Sequence, residues 1–510
     1  MDTPGSLSVP LPQWVTVHPA ALAHPDDAIS PSVPRTARDA LLAEALVARN
    51  AAWGNPVEEQ VRRWLAGAEV VASGQQPGLL GGPLLTLIKA CAVAAEVRRR
   101  RAAGREAVGF FWLATNDDDL PEMGWARVAL GEEVVTVREE RWPRGATTAG
   151  HVLLGGAAVA MLEQVATHSV GERAREALAL ARRCYQPGVT LGEATGRFLG
   201  ELLRGLGVVL VDALEPALAK AGRDTLIQVL ARLPQAWSAL QAGGEAMAAQ
   251  GWPVPLRLAA ARLPVFRLHD GRRERLAARG GACPPALLRE VERHPERFSP
   301  NVWVRPLLQD AVLHTSTALL GGAELAYHRQ GRELWELVGV PRPAWRLRPH
   351  VTVVTAAERR LAAQLRVGPE DLLRRRPPRQ LLRGRALARR QEALAHQLEA
   401  QLARLETAAQ RELPMLVPDV RATAGKVAAA LQWLQHRTAS AQARSSEVEV
   451  QRWRRLTAFL RPDGQPQERR LSVLAPLLRL GLQWPAQLAA ALDATDPGMH
   501  LMCWAEGGPW

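Results

Sequence analysis

Residues 69–119 read EVVASGQQPGLLGGPLLTLIKACAVAAEVRRRRAAGREAVGFFWLATNDDD, and this stretch sets the class of fold that we predict. It contains two short apolar runs, Glu69–Ser73 and Val108–Thr115, and such runs are typical of buried strands. A glycine-rich loop and an alanine- and leucine-rich helix over about 84–101 lie between them. This order is a βαβ unit, in which the two strands are parallel and the crossover is right-handed.

A third apolar run, Val208–Val211, extends the same pattern. It follows a helical stretch over 190–206, ends at Asp212, and precedes a helix that begins at about Pro216. The sequence therefore predicts an α/β core with a parallel sheet.

Two further segments interrupt the alternation of strand and helix. Residues 125–160 are rich in strand formers, and Pro264–Leu268 followed by a turn at 269–271 predicts a β-hairpin. We assign both to insertions on the core, over about 121–200 and 240–300.

From Pro377 onward the sequence predicts two long helices, Arg385–Leu413 and Val420 to about Leu460, separated by prolines. Apolar residues recur along both with the spacing of a coiled coil. They are Leu387, Leu394, Leu398 and Leu405 in the first helix, and Val427, Leu431, Leu434, Ala441 and Val448 in the second.

These helices predict an antiparallel hairpin over 377–460, between a core over 1–376 and a segment over 461–510 that packs back on the core. A hairpin this narrow buries little apolar surface by itself, so it needs a partner. A second copy of the chain is the simplest one, and we expect a homodimer.

Composition limits the function classes. The chain has 510 residues, four cysteines without metal-ligand spacing, and no secretory signal or bilayer-spanning stretch. We therefore expect a cytoplasmic protein with reduced thiols and no membrane partner. The net charge is +13, but only three of the 64 basic residues are lysine and the arginines are dispersed. Because a nucleic-acid footprint gathers on one element, we do not expect a nucleic-acid partner.

The glycine-rich loop Ser73–Pro83 is the strongest candidate site. Glycines let a backbone approach a ligand, and the following helix N-terminus favours an anion, to which Lys89 could add a formal charge. The spacing matches neither the Walker A nor the dinucleotide motif. A tight turn between packed elements explains the same residues equally well.

Acidic residues follow the second and third strands. Asn116, Asp117, Asp118 and Asp119 follow one strand, and Asp212 follows another. Because ligands bind at the carboxyl ends of parallel strands, these acids would suit an amine or a hydroxyl-rich substrate. A solvated acidic turn is the alternative, above all for Asp118.

Weaker candidates are Arg305 and, after a Gly-Gly turn, Glu324 and Tyr327, although an ordinary helix N-terminus explains the latter pair. The histidines show no HExxH or HxH spacing, so we predict no metal.

Six segments together resemble one family, the BshC family, the cysteine ligases of bacillithiol biosynthesis. They are VVASGQQPGLLGGPLLTLIKA (70–90), FFWLATNDDDLPEM (110–123), GVVLVDALEPALAK (207–220), ERFSPNVWVRPLLQD (296–310), GGAELAYH (321–328) and LRPDGQPQERRLSVLAPLLRLG (460–481). The resemblance spans nearly the whole chain.

The resemblance implies a Rossmann-like core with inserted connecting segments, as in class I aminoacyl-tRNA synthetases, and a coiled-coil arm for homodimerisation. It also implies functional roles at matching positions. These are Gln75, Gln76, Gly78, Gly82, Pro83 and Lys89 in the glycine-rich motif, Asp117, Asp119 and Glu122 in the acidic motif, and Gln467, Glu468 and Arg469 in the C-terminal motif.

Two departures from the family pattern bear on catalysis. The acidic motif usually reads Glu-Asp-His-Asp, whereas here Asn116 and Asp118 replace the glutamate and the histidine. Ile88 stands where a histidine often precedes the lysine. If either histidine is the proton-transfer group of the family, this protein must use another base or carry out a slightly different reaction.

The reading that we favour is a ligase that adds L-cysteine to glucosaminyl-malate, with ATP or ADP as cosubstrate. We expect Lys89, Asp117 and Asp119 to be catalytic. The nucleotide is assigned to Gly74, Gln75, Gln76, Gly78 and Gly82, and the substrates to Asn116, Asp212, Arg305, Glu324 and Tyr327. Two alternatives remain at this point, namely a tRNA- or nucleic-acid-associated protein and a dimeric scaffold with altered catalysis.

Overall fold

The structure, a computed structural model, describes residues 5–10, 38–130, 133–140, 142, 147–259, 261–368, 385–493 and 499–504. The chain forms two units. The first comprises Met1–Leu130, Val134–Thr355 and Arg461–Trp510, and the second comprises Gly131–Glu133 and Ala356–Leu460.

The strands are named β1 to β13 in chain order. They are Gly5–Pro10, Glu69–Gln75, Ala107–Leu113, Trp125–Leu130, Glu133–Arg138, Val208–Asp212, Arg262–His269, Arg272–Ala277, Phe298–Pro300, Thr315–Leu320, Ala344–Leu347, His350–Val353 and Met499–Trp504.

The helices are named α1 to α20 in chain order. They are Ala40–Ala52, Glu58–Leu65, Leu85–Ala102, Leu120–Met123, Ala157–His168, Glu172–Cys184, Leu191–Leu203, Pro216–Ala221, Arg223–Ala231, Leu233–Ala249, Pro285–Arg293, Val304–Leu313, Gly322–Gln330, Leu334–Leu337, Ala356–Gln364, Arg385–Glu412, Val417–Leu460, Gln467–Arg470, Leu474–Leu480 and Trp484–Asp493. None of those in the described ranges is long and apolar enough to cross a membrane.

A five-stranded parallel sheet in the order β11-β10-β2-β3-β6 forms the centre of the first unit. The predicted βαβ unit is confirmed, with β2 and β3 parallel and α3 between them. Gly109 lies on β3 where a Cβ atom would be 2.6 Å from the Val93 side chain of α3, so only glycine lets this helix pack so closely.

Two strands of this sheet, β10 and β11, were not predicted. Strand β10 follows α12 directly, because His314 adopts a left-handed conformation (φ 57°) that ends the helix within one residue. Its sequence, TSTALL, has no glycine or proline to mark the boundary.

Apolar helices cover one face of the sheet. Leu42 of α1 and Trp64 of α2 are fully buried against Val70, Phe110 and Val209 of the strands. Since the sheet is held rigidly in this way, the loops at its carboxyl ends have fixed starting points.

Three smaller sheets flank the core. The predicted hairpin is confirmed as the antiparallel pair β7 and β8, which β9 joins, and β4 pairs with β5. Strand β13 pairs with β12 in parallel and with β1 antiparallel.

The C-terminal segment covers the start of α3. The amide of Leu84 donates to the carbonyl of Leu471 (2.7 Å), and the amide of Val473 donates to the carbonyl of Gly82 (3.0 Å). These bonds place residues of the C-terminal motif beside the glycine-rich loop.

The second unit contains the predicted helical hairpin, with α16 and α17 joined at Pro414–Leu416. Gln391 of α16 donates to the hydroxyl of Thr438 on α17 (2.9 Å), as antiparallel neighbours should. The unit begins at Ala356, earlier than our boundary at 377, because α15 packs on α17.

Candidate active site

A cavity of about 680 Å³ lies at the carboxyl ends of the central strands, where open α/β sheets bind ligands. Loops after β2, β3, β10 and β11 and the β7–β8 hairpin contribute to its wall. The polar residues that line it are Gln75, Gln76, Lys89, Asn116, Asp117, Glu122, Arg273, Asn301, Arg305, Glu324, Tyr327, Arg348 and Arg469.

The glycine-rich loop and the acidic motif meet in this cavity. The side-chain amide Nε2 of Gln76 donates to Asp117 Oδ2 over 2.7 Å. The second oxygen of Asp117 accepts the backbone amide of Asp118 (2.7 Å). The carboxylate is therefore anchored from two sides.

Lys89 is buried in the wall of the cavity, with its side chain 3% exposed. Its ammonium group has three acceptors, namely the Gly74 carbonyl (2.8 Å), Gln75 Oε1 (3.0 Å) and Glu324 Oε2 (2.8 Å). Burial lowers the pKa of Lys89, but three acceptors require three protons, so we assign the charged form. Its charge is balanced by Glu324.

Glu324 holds the first turn of α13 and also neutralises Lys89. Its Oε2 accepts the backbone amide of Gly321 (2.6 Å). Burial by itself would raise the pKa of Glu324, but the charge and hydrogen bond of Lys89 outweigh it and lower the pKa to about 2. The carboxylate is therefore ionised at neutral pH.

Arg305 is held by neutral partners. Its guanidinium donates to Gln309 Oε1 (3.0 Å) and to the hydroxyl of Tyr327 (3.4 Å). Burial raises the pKa of Tyr327 to about 12, so this hydroxyl stays protonated. Asn116 also lines the cavity, where its amide donates to Ser299 (2.9 Å).

Family models match almost all of this architecture. One described as "Bacillithiol biosynthesis BshC, N-terminal Rossmann-like domain" matches residues 28–349, and one described as "Bacillithiol biosynthesis BshC, C-terminal coiled-coil domain" matches residues 352–504. The chain belongs to the BshC family. The Rossmann-like core and the coiled-coil hairpin that we expected from the resemblance are thereby confirmed.

Several curated relatives are named "Putative cysteine ligase BshC". One from Koribacter versatilis is 28% identical over 288 residues, which are 54% of this chain and 53% of the relative. One from Chlorobaculum tepidum is 25% identical over 466 residues, 85% of this chain and 82% of the relative. One from Bacillus thuringiensis is 26% identical over 444 residues, 81% of each.

Within this BshC-family fold, Gly78 and Gly82 do not have the role that we expected. Neither lines the cavity, and the loop between them is buried. The Gly78 amide donates to Thr195 (3.3 Å), and the Gly81 amide donates to the hydroxyl of Tyr185 (2.7 Å). These two amides are occupied within the protein, so this part of the loop forms a packed turn and offers no free donor at Gly78 or Gly81.

Gly74 lines the cavity and is required for packing. A Cβ atom there would lie 2.7 Å from the Trp112 carbonyl oxygen and 2.9 Å from the Trp112 Cβ atom, on the neighbouring strand. Glycine at this position therefore lets β2 and β3 pair beneath the cavity.

Two predicted acids lie away from the cavity lining. Asp212 lines a separate cavity of about 890 Å³ with Arg49 and Glu193, and it accepts bonds from Thr115 and the Leu214 amide. Thr115, which donates to Asp212, lines this second cavity, whereas the next residue, Asn116, lines the first. Asp119 is exposed at the start of α4.

Glu122 takes the position that we expected Asp119 to hold. It lines the cavity, and burial together with the charges of Asp119 and Asp117 raises its pKa. A carboxyl group with a raised pKa beside a cavity is typical of a proton-transfer group. The family motif had already pointed to this residue.

Arg273 was missed by the sequence analysis. It donates to Asp118 (2.7 Å), approaches Asp117 (3.5 Å) and stacks over the Phe266 ring at 3.9 Å. It comes from the inserted hairpin, and no local pattern signals that an exposed-looking arginine of a hairpin lies against the acidic motif.

Two residues of the C-terminal motif hold neighbouring segments in place, and the third lines the cavity. Glu468 makes a buried two-point ion pair with Arg348 (2.7 and 3.0 Å), and Gln467 bonds the backbone of Val353 (2.8 and 3.0 Å). Arg469 lines the cavity. Among the residues that the structure describes, no group of His, Cys, Asp and Glu is arranged to hold a metal ion.

Proposed function

We propose that this chain joins L-cysteine to glucosaminyl-malate through an amide bond, yielding bacillithiol. Membership of the BshC family supports this reaction, as does the name of its relatives, "Putative cysteine ligase BshC". The observation that carries the proposal is the single cavity in which Gln76, Asp117, Lys89 and Glu324 converge with an arginine free of acidic partners.

The substrate amine must lose a proton before it attacks a carboxyl carbon. Asp117 and Glu122 both line the cavity, and the raised pKa of Glu122 favours proton uptake. We assign Asp117 to holding the ammonium group and Glu122 to accepting its proton. The amine would then form the C–N bond at a carboxyl carbon activated by the nucleotide, and the C–O bond that breaks would release the oxygen together with the group transferred from the nucleotide.

The malate carboxylates need a cation that is not already neutralised. Arg305 meets this requirement, since its described partners are an amide oxygen and a hydroxyl. Arg469 lines the same cavity from an exposed position and is the second candidate. Both guanidinium groups suit carboxylate recognition.

ATP or ADP, which would activate the carboxyl group, remains the proposed cosubstrate. The amides of Gly78 and Gly81 are occupied, so we assign no phosphate position to the glycine-rich loop. Titration calorimetry with ATP and with ADP tests this part, and the absence of binding by both nucleotides would contradict it.

We also propose a homodimer through α16 and α17. Large apolar side chains remain exposed along this hairpin, which a second copy would bury. They include Leu387, Leu394, Leu405, Trp433, Leu434 and Val448. A cytoplasmic location is supported by three buried cysteines without disulfide bonds, Cys91, Cys184 and Cys283.

The decisive experiment supplies the purified protein with glucosaminyl-malate and cysteine, with and without ATP or ADP, and detects bacillithiol by mass spectrometry. Product formation that depends on the protein is expected. No product under any of these conditions would contradict the ligase assignment.

A further inference from the structure

We infer that Gln309 and Asp310 are positioning residues that keep Arg305 an unpaired cation, directed at an anionic substrate. This inference rests on the proposed function, in which Arg305 binds the malate carboxylates. The inference explains why Arg305 has no carboxylate partner, although most of the other cations that line the cavity have one.

Most cations that line the cavity are neutralised by a carboxylate. Lys89 pairs with Glu324 (2.8 Å), Arg273 with Asp118 (2.7 Å), and Arg348 with Glu468 (2.7 Å), and each of these cations is at most 8% exposed. Arg305 is half-buried, and in the described part of the chain it has no carboxylate within ion-pair distance.

A glutamine takes the place that a carboxylate has beside the other cations. Gln309 lies one helical turn after Arg305 on α12 and accepts its NH1 group through Oε1 (3.0 Å). Gln309 is 5% exposed, so solvent does not screen this contact. A glutamate there would pair with Arg305 and compete with a bound carboxylate, whereas glutamine fixes the guanidinium without neutralising it.

Arg305 and Asp310 contact opposite ends of the Gln309 amide. Its Oδ1 lies 3.5 Å from Gln309 Nε2, and its Oδ2 accepts the indole N–H of Trp335 (2.9 Å). A flipped amide would direct its NH2 group at the Arg305 guanidinium, which can only donate, so that contact would be repulsive. In the observed orientation Oε1 accepts from Arg305 and Nε2 faces Asp310 Oδ1, which can accept in either protonation state.

The test measures the dissociation constant of glucosaminyl-malate by titration calorimetry on the full chain. The variants are Gln309→Glu, which adds the missing carboxylate, and Gln309→Met, which keeps the shape but removes the acceptor. Gln228→Glu is the matched control, because the exposed Gln228 of α9 accepts from Arg232, four residues later, away from the cavity lining. Methyl glucosaminide, which has no carboxylate, is the comparison ligand.

We expect Gln309→Glu to weaken glucosaminyl-malate binding about tenfold or more, because the glutamate would neutralise Arg305. Gln309→Met should weaken binding about threefold, because the guanidinium would lose the acceptor that fixes its position. Binding of methyl glucosaminide and the thermal midpoint of Gln309→Met should change little, and Gln228→Glu should resemble wild type.

Unchanged glucosaminyl-malate binding in both Gln309 variants would overturn the inference while leaving the proposed function intact. Equal losses for both ligands would show a merely structural role and would also overturn it. Absence of glucosaminyl-malate binding by wild type would instead overturn the proposed function, and with it this inference. If Gln309→Glu does not fold, Gln309→Met alone decides the matter.

Discussion

Gln76 and Asp117 are 41 positions apart in the chain and are joined by a hydrogen bond of 2.7 Å at the carboxyl edge of the central sheet. The register of β2 and β3, in which Gln75 lies opposite Leu113, brings the two loops together. The bond places the glycine-rich loop and the acidic motif in one cavity.

Replacing Gln76 by leucine should lower kcat/KM about tenfold, because Asp117 then loses a donor that fixes its orientation. Steady-state kinetics with glucosaminyl-malate and cysteine measure the effect. Gln241→Leu is the control, since the exposed Gln241 of α10 donates to the Glu245 carboxylate (2.9 Å) in the same way. Equal activity in the two variants would show that the Gln76–Asp117 bond is not needed for turnover.

Replacing Lys89 by methionine should destabilise the fold by about 3–5 kcal/mol, because the Glu324 carboxylate loses its buried partner. Denaturant unfolding of wild type, Lys89→Met, Glu324→Gln and the double variant measures this effect. We expect the double variant to be more stable than Lys89→Met. Strict additivity of the two single effects would mean that the ion pair does not contribute.

Glu122 should control the acidic side of the pH profile. Burial and the neighbouring acids raise its pKa, and a proton acceptor must be deprotonated, so kcat/KM should fall as pH decreases through this raised pKa. Glu122→Gln should lose most activity. Asp119→Asn, which removes one of the charges raising the pKa, should shift the acid limb to lower pH. An unshifted acid limb in Asp119→Asn would argue for another base.

Asp310 should make stability depend on pH. Burial raises its pKa from 3.8 to about 7, so folding favours the protonated form. The stabilisation is fully present below the unfolded pKa and is lost as pH rises through about 7. Between pH 4 and 7 the free energy of unfolding of wild type should fall relative to Asp310→Asn by up to about 1.4 kcal/mol per pH unit. Parallel curves for the two proteins would contradict the raised pKa.

Charged substitutions on the leucine stripe of α16 should separate the proposed dimer. Leu394→Lys and Leu405→Lys place ammonium groups where a second hairpin would pack, and both side chains are exposed in the single chain. Sedimentation should then show monomers. Glu399→Lys is the control on the same helix, off this stripe. A dimer that persists in the leucine variants would place the interface elsewhere.

Local sequence patterns were sufficient for the βαβ unit and for the helical hairpin. The valine-rich runs, the glycine loop and the alanine-rich helix defined β2, α3 and β3, and leucine spacing defined α16 and α17. Strand β10 escaped notice because a left-handed His314 makes its turn without glycine or proline. The family motif named both Asp119 and Glu122, but only the structure shows that Glu122 lines the cavity and Asp119 does not, because this depends on how α4 is placed.

The sequence alone determined that polar motifs lie at the carboxyl ends of parallel strands, because strand direction and turn position are encoded in residues close together in the chain. The partners of each polar group were decided only by the tertiary structure. Tyr185 and Thr195 occupy the glycine-loop amides, Arg273 reaches the acidic motif from an insertion, and Asp212 faces a second cavity. Such pairings depend on the packing of distant segments, and no local periodicity records them.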